Sequence, residues 1–166
     1  MLIRAIGFAQ KELRKRGEKV LLIGCGDDFD LVRRMADSLG VADIVRFAGA
    51  IKGASHILDT ASVLIAPSLW EGFPFLLLEA ADRKIPVIAS DCPGHRELIV
   101  NGETGRLFAT NDASALAELL KGGLNEDFAA MAEKFSRKMT SLYPLSRMID
   151  GTIEVYKHLL KARGSK

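Results

Sequence analysis

Glu71 and Glu79 stand eight positions apart in the stretch Pro67-Ser68-Leu69-Trp70-Glu71-Gly72-Phe73-Pro74-Phe75-Leu76-Leu77-Leu78-Glu79, most of which is apolar. Pro74 has the fixed φ that suits the first helical position, so a helix is expected from there and its N-terminus should face whatever Glu71 faces. The amides of Phe75, Leu76 and Leu77 would lack helical partners, with the positive end of the helix dipole behind them, a setting fit for a phosphate or pyrophosphate. Gly72 lets a ligand come close to the backbone. Glu79 is the odd residue in that helix, because Phe75 to Leu78, Ala80 and Ala81 are apolar and a buried, unpaired carboxylate is costly. At 1.5 Å per residue it falls roughly 7 to 8 Å along the helix from the anion position, about the offset of a sugar from its phosphate. It is therefore expected to accept from ribose hydroxyls, and Glu71, across the phosphates, from a second sugar. Alone, Glu79 would read as a surface carboxylate, since charged residues are mostly exposed. The surrounding constellation favours the ligand role.

The elements that must hold this stretch alternate. A helix over residues 2–16 ends at Gly17, and short apolar strands follow at Val20–Ile23, Ile44–Phe47, Val63–Ala66, Pro86–Ser90 and Gly105–Ala109. Between them lie a helix with a stripe of Leu31, Val32, Met35 and Leu39, a short helix near Ser55–Ala61, the helix Phe75–Lys84, and one or two turns over Gly94–Val100. Three helices close the chain, at Ala113–Lys121 with Asp112 as N-cap, at Asp127–Thr140 with a buried stripe of Phe128, Met131, Phe135 and Met139, and at Leu145–Lys161. Strands without polar alternation, each followed by a helix, predict an α/β fold: a doubly wound, Rossmann-like parallel sheet covered on both faces. Ligands bind such sheets outside the carboxyl ends of the strands, in the loops that start at Gly24, Gly49, Pro67, Asp91 and Ala109.

Composition removes several alternatives. The chain has 166 residues, 48% of them hydrophobic, which is enough for one ordinary domain with a real core. Its 23 Lys plus Arg against 21 Asp plus Glu leave a net charge of +2, so no global field points to nucleic acid. No apolar run approaches the roughly 20 residues that cross a bilayer, and no signal-peptide order is present. The chain reads as soluble and cytoplasmic. Cys25 and Cys92 form no disulfide framework or C-x-x-C pair, and the three histidines are scattered, so no metal site is nominated. Gly24-Cys25-Gly26 fails the dinucleotide fingerprint because its third glycine would fall at Phe29. Asp27, Asp28 and Asp30 suit a helix N-terminus better than a metal. His95 fits either a ligand contact or a turn, Glu97 is expected to brace its loop, and Trp70 either walls a sugar pocket or covers a sheet edge. His56 and His158 are expected at the surface.

Residues 67–80, followed by IPVIASDCPGHRELIVNGETGRLF, resemble the donor-binding half of retaining glycosyltransferases of family 4, which have the GT-B fold. Glu71 and Glu79, Pro86-Val87, Gly94 with Glu97, and Gly102 with Gly105 match that signature in order, and weaker similarity runs from about Val20 to Tyr156. The resemblance implies a nucleotide-diphosphate sugar, such as a UDP- or GDP-sugar, as donor substrate, with no metal or other cofactor. Glu79 would hold the ribose and Glu71, the one residue assigned a catalytic role, the transferred sugar. Gly72, Phe73, Pro74, Phe75 and Leu76 would hold the diphosphate, Gly49, Ala50 and Ile51 the base, with Gly24, Gly26 and His95 completing the donor site. Pro74 departs from the family's usual glycine and removes an N–H donor. The family's first strand, with the Arg and Lys of its loop, and its N-terminal acceptor domain have no counterpart in residues 1–166. The last helix, with Leu145, Ile149, Ile153, Tyr156 and Leu160 on one face, is expected to return toward that missing half. Peripheral membrane association of the full enzyme is left open. A non-catalytic partner or binding module of the same fold is the alternative.

Overall fold

The computed structural model describes residues 1–164. Helix α1 (Leu2–Arg16) turns Ile3, Ala5, Ile6, Ala9 and Leu13 inward and stops at Gly17, whose φ of 67° is a left-handed cap that glycine takes without a Cβ penalty. Strand β1 (Val20–Ile23) pairs in parallel with β2 (Val45–Gly49), joined by α2 (Phe29–Ser38). A 3-10 turn over Ala54–Thr60 leads to a second parallel ladder, β3 (Leu64–Ala66), β4 (Val87–Ser90) and β5 (Arg106–Phe108), with β4 central. Its crossovers are α3 (Phe75–Asp82) and α4 (Pro93–Leu98), and α5 (Ala113–Gly122), α6 (Glu126–Leu142) and α7 (Leu145–Gly164) complete the chain. Asp112 caps α5 as expected, its Oδ1 accepting from the N–H groups of Ser114 and Ala115 at 2.9 Å each.

The side chains of β3, β4 and β5 alternate between two cores, as period-two strands buried on both sides must. Ile65, Ile88 and Phe108 face a cluster with Ile6, Ala9, Leu13, Leu116 and Leu120 of α1 and α5. Leu64, Ala66, Val87, Ala89 and Leu107 face a cluster with Leu77, Ala80 and Ala81 of α3, Leu98, and Phe135 and Met139 of α6. The stripe expected on α6 is therefore the one that is buried, with Phe135 fully so.

Three expectations need correction. The strands form two ladders rather than one sheet: β1 and β3 each keep an unpaired edge, and α1 with α5 bridges the ladders through the first cluster, which also takes Val20 and Leu22 of β1. The β1–β2 ladder is covered on one face only, leaving Leu21 and Ile23 exposed at 45% and 38%. The α2 stripe is packed only in part: Val32 and Met35 lie half-buried against the first cluster beside the buried Ala36, whereas Leu31 and Leu39 are exposed. Two strands offer too little surface to cover a whole helix face. Helix α7 also keeps Leu145, Ile149, Ile153, Tyr156 and Leu160 in solvent. Among the described residues no helix is long and apolar enough to cross a membrane.

Candidate functional site

Strands β3 and β4 run parallel, so their carboxyl ends release two loops side by side, and the residues of those loops hold one another. Ser68 Oγ donates to Glu71 Oε1 at 2.7 Å. Ser90, fully buried at the end of β4, donates its hydroxyl to the Ser68 carbonyl oxygen at 2.5 Å. The His95 ring, in α4, sets Nδ1 2.9 Å from the Ser90 carbonyl oxygen and 3.3 Å from Ser90 Oγ. Gly94 closes the arrangement, because a Cβ there would stand 2.6 Å from the Glu71 carbonyl oxygen and 2.9 Å from Glu71 Cβ. Only glycine allows these two loops to come so near. Arg96 braces the second loop from outside through Asp91 at 2.7 Å, a hydrogen bond that raises the guanidinium pKa.

The loops and the start of α3 enclose a cavity of about 370 Å³. Of the residues expected to bind a donor, Glu71, Phe73, Pro74, Phe75, Leu76 and His95 line it, and Ser68 and Leu77 join them. Gly72 and Glu79 do not line it. Among the described residues no lysine or arginine lines it, and the positive end of the α3 dipole faces it.

The α3 N-terminus departs from expectation in detail. Pro74 is the N-cap residue, with ψ 87°, rather than the first helical residue. The Phe75 N–H turns back to the Phe73 carbonyl at 3.1 Å and the Leu77 N–H to the Pro74 carbonyl at 3.0 Å, so neither points outward as expected. The N–H groups of Glu71, Gly72, Phe73 and Leu76 find no acceptor among the described residues. The first turn has no acidic side chain and no side-chain cap. These are the donors and the uncapped dipole that an anion would use. Phe73 is fixed by edge contacts with Phe75 and with Tyr143 at the end of α6.

Glu79 is half-buried, and its carboxylate has no partner among the described residues; its main-chain oxygen accepts from Arg83 instead. Gly24 and Gly49 meet at the ends of β1 and β2, where the Gly24 N–H donates to the Gly49 carbonyl at 2.8 Å, and Gly26, Ala50 and Ile51 are exposed nearby in sequence. This second group lies outside the cavity. Trp70 is exposed at 74%, so it neither walls the cavity nor covers the sheet. Glu97 is exposed and its carboxylate makes no hydrogen bond among the described residues, so it does not brace its loop. His56 and His158 are exposed as expected, and Asp28 takes the N-cap position of α2 without a side-chain cap bond.

Sequence reasoning missed Ser68 and Ser90 as parts of the site. The signal for Ser90 was a hydroxyl ending an otherwise apolar strand, where a buried polar group must find a partner.

The pattern of the family described as Glycosyl transferases group 1 matches residues 2–141. An uncharacterized glycosyltransferase of Haemophilus influenzae is 27% identical over 132 residues, which is 78% of this chain and 37% of that protein. The lipopolysaccharide core biosynthesis mannosyltransferase LpcC of Rhizobium leguminosarum bv. viciae is 32% identical over 123 residues, 73% of this chain and 35% of that protein. Among solved structures, Anabaena HepE in complex with UDP and glucose superposes with a TM-score of 0.81 at 18% identity, over 94% of this chain and 44% of that one. The likeness extends to S. aureus TarM, with a TM-score of 0.79 at 20% identity over 91% of this chain and 31% of that one. These neighbours share the GT-B fold, and the chain spans little more than a third of the two named relatives' lengths.

Proposed function

The chain belongs to the glycosyl transferases group 1 family, and from that membership we propose that it is the donor-binding part of a retaining glycosyltransferase of family 4. It takes a nucleotide-diphosphate sugar and, with an acceptor-binding half outside residues 1–166, transfers the sugar to a glycan, lipid or small molecule. The observation that carries this reading is one cavity in which an uncapped helix N-terminus stands beside Glu71, held by Ser68, and a buried His95. Diphosphate takes the free amides of Phe73 and Leu76 in the cavity and of Gly72 beside it, the transferred sugar lies toward Glu71, and Glu79, whose carboxylate has no partner among the described residues, meets the ribose. Gly24, Gly26, Gly49, Ala50 and Ile51 face the base from the neighbouring strand ends. The donor's own phosphate serves as base, so the reading assigns the chain no metal or cofactor. A UDP-sugar has the support of the HepE complex; GDP- and ADP-sugars fit the same cavity chemistry.

Two open features fit a longer protein. The unpaired edges of β1 and β3 accept an extended, apolar strand between the ladders, and the loop after it is where the cations absent from the cavity lining would enter. The solvent-facing apolar stripe of α7 fits a return to the acceptor half. We place the whole enzyme in the cytoplasm, where peripheral contact with a membrane remains compatible with a lipid acceptor. A non-catalytic binding module is the second reading, favoured by one observation: among the described residues no arginine or lysine lines the cavity.

Thermal shifts with UDP, GDP, ADP and their sugar conjugates test the proposal. Ligand at 100 times its dissociation constant adds about 2.7 kcal/mol, a shift of several degrees. The expected result is a shift with the conjugates of one base, lost in Glu79→Ala. No shift with any nucleotide, in this chain or in one extended upstream by a strand, refutes the donor role.

A further inference from the structure

His95 is 1% exposed, yet only one of its ring nitrogens has a partner among the described residues. Nδ1 lies 2.9 Å from the Ser90 carbonyl oxygen, an atom that can only accept. A bare Nδ1 there would set two lone pairs against each other. Nor does the Ser90 hydroxyl offer Nδ1 a proton, because its own proton goes to the Ser68 carbonyl oxygen at 2.5 Å, leaving Ser90 Oγ to accept at 3.3 Å. The proton of the neutral ring therefore resides on Nδ1, and Nε2 carries the lone pair. Nε2 has no hydrogen bond among the described residues, while no sealed side-chain nitrogen or oxygen there lacks one. Nε2 thus opens onto the cavity that His95 lines.

We infer that His95 is locked as the Nδ1–H tautomer by Ser90, and that it presents Nε2 as a hydrogen-bond acceptor for a hydroxyl of the bound sugar. This deepens the donor-site reading and rests on it for the ligand. Glu71 is held in the same frame, its Oε1 occupied by Ser68 and its Oε2 without a partner among the described residues, so the cavity offers two acceptors on this side and free N–H donors at α3 on the other. That polarity fits a ligand whose charged end is a phosphate and whose other end carries hydroxyls. A bare nucleotide diphosphate would leave both acceptors unused. Ser90 is then a positioning residue: its carbonyl orients the imidazole, and its hydroxyl fixes the loop that carries Glu71.

The tautomer is read in the free protein, independently of any ligand, from a long-range proton–nitrogen spectrum of the 15N-labelled chain above pH 8. His95→Phe identifies its signals among those of His56 and His158. The expected result is Nδ1–H for His95 against the Nε2–H form that exposed imidazoles prefer; an Nε2–H signal for His95 overturns the proposal. The second measurement compares UDP-glucose with UDP by titration calorimetry. His95→Phe should weaken UDP-glucose roughly five- to tenfold, the worth of one hydrogen bond, and leave UDP unchanged. Equal loss for both ligands overturns the hydroxyl contact. Ser90→Thr, which keeps the hydroxyl, should retain the preference for UDP-glucose that Ser90→Ala reduces, and equal behaviour of the two overturns the positioning role. If no nucleotide sugar binds this chain or one extended upstream by a strand, but His95 shows the Nδ1–H signal, the donor reading fails while the tautomer lock stands.

Discussion

Replacing Gly94 by alanine tests the tie between the two loops more sharply than removing any polar group. The added Cβ would sit 2.6 Å from the Glu71 carbonyl oxygen. Carbon and oxygen ordinarily approach to about 3.3 Å, so roughly 0.7 Å must be found. The neighbour is main chain, with no rotamer to swing away, and Glu71 Cβ at 2.9 Å blocks the obvious escape. Overpacking of this kind costs about 1–3 kcal/mol. Alanine returns up to about 1 kcal/mol through its better helix propensity in α4. With overpacking at the middle of its range, about 2 kcal/mol, the net loss is about 1–2 kcal/mol, a fall in melting temperature of roughly 2–8 °C for a chain of this size. Displacement of Glu71 also breaks its bond with Ser68, so affinity for a nucleotide sugar should fall by more than the stability change explains. The control is Gly122→Ala at the end of α5, where a Cβ meets nothing within 4 Å, and which should be neutral or stabilising. Thermal melts and calorimetry on both variants decide. A Gly94→Ala chain that melts and binds like its parent refutes the claim that this close approach sets the position of Glu71.

Two further outcomes follow from the packing and the charges. Phe135 is fully buried between α6 and the second ladder, so Phe135→Ala should cost about 3–5 kcal/mol, read as a lowered urea midpoint; a loss under about 1 kcal/mol would mean the site collapses freely. Arg14 grips Asp43 through two hydrogen bonds of 3.0 and 2.8 Å, which hold the carboxyl below its ordinary pKa. A group whose pKa is lower folded than unfolded stabilises at neutral pH and loses that contribution as pH falls through the folded value, below about 4. The stability gap between the parent and Asp43→Asn should therefore close on acidification, and a gap that holds from pH 7 to pH 2.5 refutes the pairing as its cause.

Helix and strand positions were legible because each apolar run is bounded by a residue with one clear physical job. Gly17 ends α1 in a left-handed turn, and Asp112 opens α5 with two hydrogen bonds. Burial on α6 followed from Phe128, Met131, Phe135 and Met139 at helical spacing. Half of the α2 stripe stays in solvent because periodicity names a face without saying how much of it a neighbour covers: Val32 and Met35 join Ala36 against the first cluster, and Leu31 and Leu39 do not. Glu71 was legible as a residue of the cavity from its place before the start of α3. Its support was less so: Ser68 reaches Glu71 through its hydroxyl, but the Ser90 hydroxyl holds Ser68, and the His95 ring meets Ser90, at main-chain carbonyls, which every residue carries and no residue type advertises. The turn of Phe75 and Leu77 amides inward had the same origin, since Pro74 at the N-cap redirects the chain by its own ψ, a quantity that the identity of proline leaves free.

The bridge of α1 and α5 over two separate ladders has a consequence for how the molecule opens. Arg16, at the end of α1, donates to the carbonyl oxygens of Leu120 and Lys121 at the end of α5, so one side chain fastens the bridge at its tip. No ladder hydrogen bond couples β1 to β3, and cooperativity between the strand pairs must pass through this helix pair. Native-state hydrogen exchange should then divide the amides into two foldons, with β1 and β2 exchanging through a cheaper opening than β4, whose residues are buried on both faces. A strand that filled the seam would merge the two protection classes into one, so the exchange pattern itself reports whether the sheet is complete.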